Sequence, residues 1–142
     1  MYKWAVRWMI RRGVRALQRG DPGPLLAGYA DDAVLVFPGG SSWGGEHRGK
    51  PAIEAFLRRF LKEGVMGEAH DIVVNGPPWR TTVCMLFFVR ASDAAGNQVY
   101  ENRAVLFARI VWGKIVYQED FENTHKVEVF DRYLAQRGSS VS

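Results

Sequence analysis

The sequence predicts an α+β fold, in which a curved antiparallel or mixed sheet carries helices on its concave face. The first observation is the order of patterns, since helical periodicity occurs twice before the first strand-like run and once directly after it. The second is a hairpin near the end of the chain. Its two apolar-rich runs meet at Trp112-Gly113, where glycine supplies the positive φ of a tight turn.

The four predicted helices are delimited by capping and turn residues. Gly20-Asp21-Pro22 ends the first helix and starts the second, because aspartate is a good N-cap and proline is accepted in a first helical turn. The third begins at Lys50 or Pro51 and is closed by Gly64. The predicted helices cover residues 2–19, 22–29, 50–62 and 124–135.

The predicted strands are apolar runs bounded by turn residues, and they cover residues 33–37, 68–75, 79–91, 98–112 and 114–121. A glycine-rich loop at 38–45 follows the first of them. It lacks the Lys-Ser/Thr ending of a phosphate-binding loop. We therefore expect it to act as a flap that carries Trp43 over a pocket.

The length and composition of the chain exclude several classes of protein. A length of 142 residues fits one domain spanning 1–142, and 47% hydrophobic residues exclude general disorder. The single cysteine, Cys84, excludes a disulfide-stapled secreted domain and suits a reducing compartment. No apolar run approaches the ~18 residues of a membrane span, and the first helix lacks an uninterrupted signal-peptide core. We expect a cytoplasmic protein.

The net charge of +4 argues weakly for a polyanionic partner. Much of the excess lies in the first helix, and no basic stripe interleaved with exposed aromatics follows, so no nucleic-acid partner is expected. Trp4 and Trp8 in this helix raise a membrane-surface alternative. Packing of the helix against the sheet is the favoured interpretation, and a membrane partner is not expected.

The hairpin register predicts where the polar side chains point. If Val111 lies opposite Lys114, then Val105 lies opposite Asp120, and one face carries charged and amide groups among apolar ones. In this register Arg103 faces Glu122 and Phe107 faces Gln118. The mixed composition of this face predicts a pocket.

The other face of the sheet is expected to be covered. Residues 81–90 are apolar on both faces, and the second face of the hairpin is nearly all apolar, whereas a solvated face would alternate. No predicted helix remains to cover this convex face. The economical expectation is a homodimer formed through it.

Three segments carry a family resemblance. They read G-D-P-G-P-L-L-A-G-Y-A-D-D-A-V at 20–34, R-G-K-P-A-I-E-A-F at 48–56 and G-K-I-V-Y-Q-E-D-F at 113–121. The chain resembles the nuclear transport factor 2-like superfamily, the cone-shaped α+β fold shared by SnoaL-like polyketide cyclases, ketosteroid isomerases and limonene-epoxide hydrolases. This fold hosts unrelated activities, so the resemblance implies the fold and leaves the reaction open.

The resemblance aligns the isomerases' tyrosine, base and protonated acid with Gly13, Phe37 and Val105. None of these can perform that chemistry, so isomerisation by that route is not expected.

For the epoxide hydrolases, the resemblance aligns one carboxylate with Asp120, but the arginine and second carboxylate with Met85 and Phe87. For the cyclases it implies that Asp120 removes an acidic proton from the substrate. An apolar wall around Asp120 disfavours its charged form, whereas a nearby Arg103 favours it, so the direction of its pKa shift stays open.

Asp120 and Arg103 are the predicted catalytic residues, with a structural Arg103–Glu122 pair as the alternative role of the arginine. No cofactor is expected, and no histidine or cysteine has metal-ligand spacing, so no metal is expected. Substrate contacts are predicted for Tyr29, Phe37, Trp43, Phe56, Met85, Phe87, Val105, Phe107, Gln118 and Glu122.

Two functions remain open. The first is binding of a small lipophilic or polycyclic molecule with acid/base catalysis by Asp120, of cyclase, isomerase or epoxide-hydrolase type. The second is a non-catalytic binder or accessory subunit of the same fold, which the absent partner groups favour.

Overall fold

The computed structural model describes the backbone of residues 1–141 and the side chains of residues 1–138, so the last residue of the predicted domain lies outside the described residues. Four helices are present: α1 (Tyr2–Gln18), α2 (Gly23–Ala27), α3 (Lys50–Lys62) and α4 (Thr124–Val141). Six strands are present: β1 (Tyr29–Phe37), β2 (Gly45–Arg48), β3 (Val65–Asn75), β4 (Thr81–Ser92), β5 (Gln98–Val111) and β6 (Lys114–Glu122).

The six strands form one curved, open sheet in the order β2-β1-β6-β5-β4-β3. All neighbouring strands are antiparallel except β1 and β6, which run parallel. The predicted α+β class with a mixed sheet is therefore confirmed. Within residues 1–141, no helix is long and apolar enough to cross a membrane.

The helices pack on one face of the sheet, here called the inner face. The α1 helix lies along β3, where Arg7 Nε donates to the Ile72 carbonyl at 3.1 Å and Gln18 Nε2 donates to the Gly67 carbonyl at 2.7 Å. The α4 helix meets β5, where Phe130 stacks on Tyr100 with ring centroids 4.4 Å apart. The opposite face, here called the outer face, carries no helix in the described part of the chain.

Most predicted boundaries lie within a few residues of the observed ones, with three differences. Strand β2 was missed because a glycine and three polar residues at a sheet edge show no apolar run. Strand β1 begins at Tyr29, four residues early, because Tyr29 is buried and pairs with Ile115 of β6. Helix α4 continues past Ala135 to Val141.

Gly67 of β3 leaves space for the aromatic ring of Phe87. A Cβ at this position would lie 2.1 Å from Cζ and 2.6 Å from Cε1 of Phe87. Any other residue therefore forces the Phe87 ring, which belongs to the core, to move.

We expect Gly67→Ala to lower the free energy of unfolding by about 1–3 kcal/mol, because overpacking displaces the Phe87 ring. Urea denaturation measures the change. Gly138→Ala is the matched control, since no atom of the described residues lies within 4 Å of the added carbon and alanine favours a helix. Equal stability of wild type and Gly67→Ala would contradict the assigned packing.

Candidate functional site

Strand β6 contains one extra residue, and the polar side chains that follow it point toward the inner face. Ile110 pairs with Ile115, but Arg109 pairs with Tyr117, so Val116 has no partner on β5 and forms a β-bulge. Ile115 is buried before the bulge, and beyond it Gln118, Asp120 and Glu122 share the inner face.

The predicted register is wrong beyond the turn. Val111 does lie opposite Lys114, but the bulge shifts the later pairs by one residue, so Val105 lies opposite Phe121 and Leu106 opposite Asp120. A shift of one residue exchanges the two faces of a strand. Arg103, Val105 and Phe107 therefore lie on the outer face.

Arg103 does not join the carboxylates. It pairs in the ladder with Phe88 of β4, and its guanidinium lies 5.0 Å from the centre of the Phe88 ring. The predicted Arg103–Glu122 and Arg103–Asp120 pairs are absent from the described side chains. No described cation forms an ion pair with Asp120.

Asp120 ends a chain of hydrogen bonds that starts in β1. The Tyr29 hydroxyl donates to Gln118 Oε1, and Gln118 Nε2 donates to Asp120 Oδ1 at 3.0 Å. Asp120 Oδ2 accepts no described hydrogen bond, and the atom is not completely buried. Gln118 thus orients the carboxyl and leaves one of its oxygens free to meet a ligand.

Burial raises the pKa of Asp120 to about 7. The Gln118 hydrogen bond lowers it, and the negative charges of Glu122 and Glu119 raise it again. Burial, followed by the Asp120 charge, also raises the pKa of the Tyr29 hydroxyl, which stays a proton donor. A carboxyl that titrates near neutral pH can both accept and donate a proton.

Glu122 is a second inward carboxyl with its own network. Its Oε1 accepts from the Tyr100 hydroxyl at 2.9 Å and from Asn102 Nδ2 at 3.3 Å. Asn102 Nδ2 also donates to the Asn123 carbonyl at 3.0 Å. Burial raises the pKa of Glu122 to about 7, although the hydrogen bonds from Tyr100 and Asn102 lower it.

Tyr100 and Asn102 were not among the predicted site residues. The feature that could have identified them is the alternating pattern of β5, in which every second residue from Tyr100 to Ala104 is buried. The wrong hairpin register assigned that set to the outer face.

Asp120 stands between two small cavities. The first cavity is lined in part by Glu122, Phe37 and Trp43, and the second by Tyr29, Met85 and Gln118. Phe56, Phe60, Phe87 and Leu106 border both cavities and form the partition between them. The cavity volume is about 50 Å³ for the first cavity and about 90 Å³ for the second.

Nine of the twelve predicted site residues line these cavities, while Arg103, Val105 and Phe107 do not. The nine are Tyr29, Phe37, Trp43, Phe56, Met85, Phe87, Gln118, Asp120 and Glu122.

The glycine-rich loop brings Trp43 to the first cavity. Its indole packs edge-on against Phe56 with ring centroids 5.7 Å apart, and the Arg59 guanidinium lies 3.9 Å from its centre. Trp43 Nε1 is buried and has no hydrogen-bond partner among the described residues. The described residues contain no cluster of three or more side chains suited to a metal ion.

The fold is that of the nuclear transport factor 2-like proteins. Residues 10–118 match the SnoaL-like domain, so the chain belongs to the SnoaL-like family. No curated protein sequence matches the chain significantly.

Several solved structures share the fold. Bal32a, from a soil-derived mobile gene cassette, has a TM-score of 0.76 at 19% identity, over 89% of this chain and 95% of that one. RV0760c from Mycobacterium tuberculosis, in complex with estradiol-17β-hemisuccinate, has a TM-score of 0.71 at 20% identity, over 85% and 95%. TerC, co-crystallised with polyporic acid, has a TM-score of 0.67 at 20% identity, over 88% and 98%.

The raised pKa of Asp120 has a consequence for stability. Because the folded protein holds this proton more tightly than the unfolded chain, the contribution to stability is complete below about pH 4 and is lost as the pH rises through about 7. Asparagine resembles the neutral carboxyl at every pH.

We expect Asp120→Asn to gain about 1–3 kcal/mol in free energy of unfolding relative to wild type between pH 5 and pH 8. Urea denaturation at the two pH values measures this difference. Asp93→Asn is the control, because backbone N–H groups of Asn97 and Ala95 lower the pKa of Asp93 and it titrates below this window. A pH-independent difference for Asp120→Asn would contradict the buried, neutral state.

Proposed function

We propose that this protein binds a small, largely apolar molecule between the sheet and the helices, and that Asp120 exchanges a proton with it. The observation that carries the proposal is the position of Asp120. It contacts both cavities, keeps Oδ2 free of hydrogen bonds from the described residues, and has a pKa near neutrality. A buried base with these properties suits abstraction of a weakly acidic proton without a metal or cofactor.

Glu122 is proposed to serve as the complementary group. It lies two residues from Asp120 on the same face, which separates the two positions by roughly 6–7 Å along the strand. Glu122 Oε2 accepts no described hydrogen bond, as with Asp120 Oδ2. One carboxylate can then take a proton while the other, protonated, donates to a substrate oxygen.

This pair fits aldol-type cyclisation, isomerisation by a route different from that of the ketosteroid isomerases, or acid-assisted opening of an epoxide. Each reaction needs one group that accepts a proton and one that donates a proton. An arginine between the carboxylates, as the epoxide hydrolases use, has no counterpart among the described side chains, since Arg103 lies on the outer face. The first two reactions are therefore favoured.

The ligands of related folds support the chemical class. RV0760c is in complex with estradiol-17β-hemisuccinate, and TerC was co-crystallised with polyporic acid. The walls of both cavities in this chain are mainly aromatic and aliphatic. Ligand pockets usually measure about 300–1,000 Å³, so we propose that a ligand joins the two cavities by displacing Phe56 and Phe87 from the partition.

The second candidate is a non-catalytic binder or accessory subunit. The observation that favours it is the small volume around Asp120, which a ligand must enlarge before it reaches the carboxyl. A binder needs the apolar walls and the polar anchors, but it does not need a titrating carboxyl.

We also propose a homodimer formed through the outer face of the sheet. Val73, Val105 and Phe121 are exposed there, and exposed apolar patches on a sheet mark interaction surfaces. Arg103 and Glu119 on the same face supply charges of both signs, which suits an isologous contact between identical faces. The free, exposed Cys84 suits the reducing conditions of the cytoplasm.

For the ligand, we expect a thermal-shift screen with steroids, polyketide mimics, terpenoid epoxides and fatty acids to give a stabilising hit. A ligand at a hundred times its dissociation constant adds about 2.7 kcal/mol, which raises the midpoint by several degrees. With the hit as substrate, Asp120→Asn is expected to lower kcat by at least ~100-fold. Its effect on affinity should stay within about tenfold.

Glu46→Gln, an exposed carboxylate on β2, is the control and should leave both values unchanged. A ligand that binds wild type and Asp120→Asn equally, with no turnover by either, would identify the binder instead. A flat screen across all four ligand classes would contradict both candidates as stated.

For the dimer, we expect sedimentation equilibrium to give twice the monomer mass at micromolar concentrations. Phe121→Lys should shift the protein to monomer, because a charge at the centre of an apolar contact is desolvated without a partner. Val129→Lys on α4 changes a similarly exposed side chain away from the sheet and should leave the dimer intact. A monomeric wild type would refute this arrangement.

A further inference from the structure

The side of α1 that faces away from the sheet carries two tryptophans. Trp4 is 68% exposed and Trp8 is 52% exposed, although burial of a tryptophan is strongly favourable. The helix was expected to pack on the sheet through its apolar stripe, and the core contacts do come from Val6, Ile10, Val14 and Leu17 of that stripe. The tryptophans are thus left on the solvent side of the helix.

The same side of α1 is strongly cationic. The helix contains no acidic residue. At 100° per residue, the side of Trp4 and Trp8 carries Arg11, Arg12, Arg15 and, just beyond the last turn, Arg19, whereas Arg7 faces β3. None of these four arginines forms an ion pair with any described side chain. At 100° per residue, Arg11 and Arg15 flank Trp4 and lie within the same arc as Trp8. Aromatic rings and unpaired cations therefore share one helix face.

Two more exposed tryptophans lie at the same end of the molecule. Trp79 and Trp112 are 57% and 69% exposed, and their rings contact each other with centroids 5.9 Å apart. The Trp112 N–H donates to the Pro78 carbonyl at 2.8 Å, which joins the two turns. Tyr2 at the start of α1 hydrogen-bonds Thr81, two residues beyond Trp79. The N-terminal end of α1 thus lies beside this tryptophan pair.

We propose that this surface, formed by the outer side of α1 and the Trp79–Trp112 pair, docks on an anionic lipid bilayer. Unpaired arginines are attracted to anionic headgroups, and tryptophan rings partition into the boundary between headgroups and acyl chains. Four of the five tryptophans of the chain belong to this surface, and the fifth, Trp43, is buried. The contact is peripheral, because no described helix can span a membrane.

A lipid partner fits this surface better than a nucleic acid. Base stacking needs an open ring face, but the Arg12 guanidinium lies 5.5 Å from the centre of the Trp8 ring. Trp79 and Trp112 likewise turn toward each other. Insertion at a bilayer boundary, in contrast, needs no open ring face.

The test is co-sedimentation with vesicles of phosphatidylcholine alone and of phosphatidylcholine mixed with phosphatidylglycerol. Binding is expected to the mixed vesicles, and it should weaken as salt is added, because salt screens the headgroup charge. Tryptophan emission should move to shorter wavelength on binding. The double variant Arg11→Gln/Arg15→Gln should lose about 30-fold in affinity.

Arg132→Gln is the matched control, since it removes an exposed arginine on α4 instead of α1. Trp4→Ser/Trp8→Ser tests the rings, with circular dichroism to verify that both variants fold. Equal binding to the two kinds of vesicle, or full binding by Arg11→Gln/Arg15→Gln, would overturn the proposal. So would sedimentation without the emission shift, or binding of duplex DNA by a protein that ignores the vesicles.

Discussion

The unpaired Val116 in β6 sets the direction of every later side chain in that strand. Without it, the alternation that buries Ile115 would bury Tyr117 and Glu119 as well. With it, the inward set becomes Gln118, Asp120 and Glu122. The two inward carboxyls, and the hydrogen-bond networks that hold them, depend on this one bulge. Bulges are frequent beside functional sites because they redirect side chains in this way.

The same shift decides the electrostatics of the site. It places Leu106 instead of Val105 opposite Asp120, and it leaves Arg103 against Phe88 on the other face. The inner face therefore holds two carboxyls that form no ion pair with a described cation. Burial then dominates, and the pKa values of Asp120 and Glu122 both rise to about 7. Hydrogen bonds from neutral amide and hydroxyl groups moderate this rise without fixing either carboxyl in its charged form.

Helix α1 uses its two sides differently. Its apolar side closes the second cavity, where Ile10, Val14 and Leu17 contribute to the wall. Its cationic side stays in solvent with Trp4 and Trp8. One element thus separates the proposed ligand site from the proposed membrane surface, so a lipophilic ligand held in the cavity lies one helix away from the bilayer.

The sequence by itself determined the α+β class, the order of the elements other than β2, and the grouping of Gln118, Asp120 and Glu122 on one face, because these follow from local periodicity. It also identified the aromatic cavity wall, including Phe37 and Phe87. Only the tertiary structure decided what surrounds Asp120. Pairing between strands is non-local, and one extra residue reverses the faces while leaving the local pattern almost unchanged. For the same reason Tyr100 and Asn102 belong to the candidate site in the structure, whereas Arg103 lies outside it.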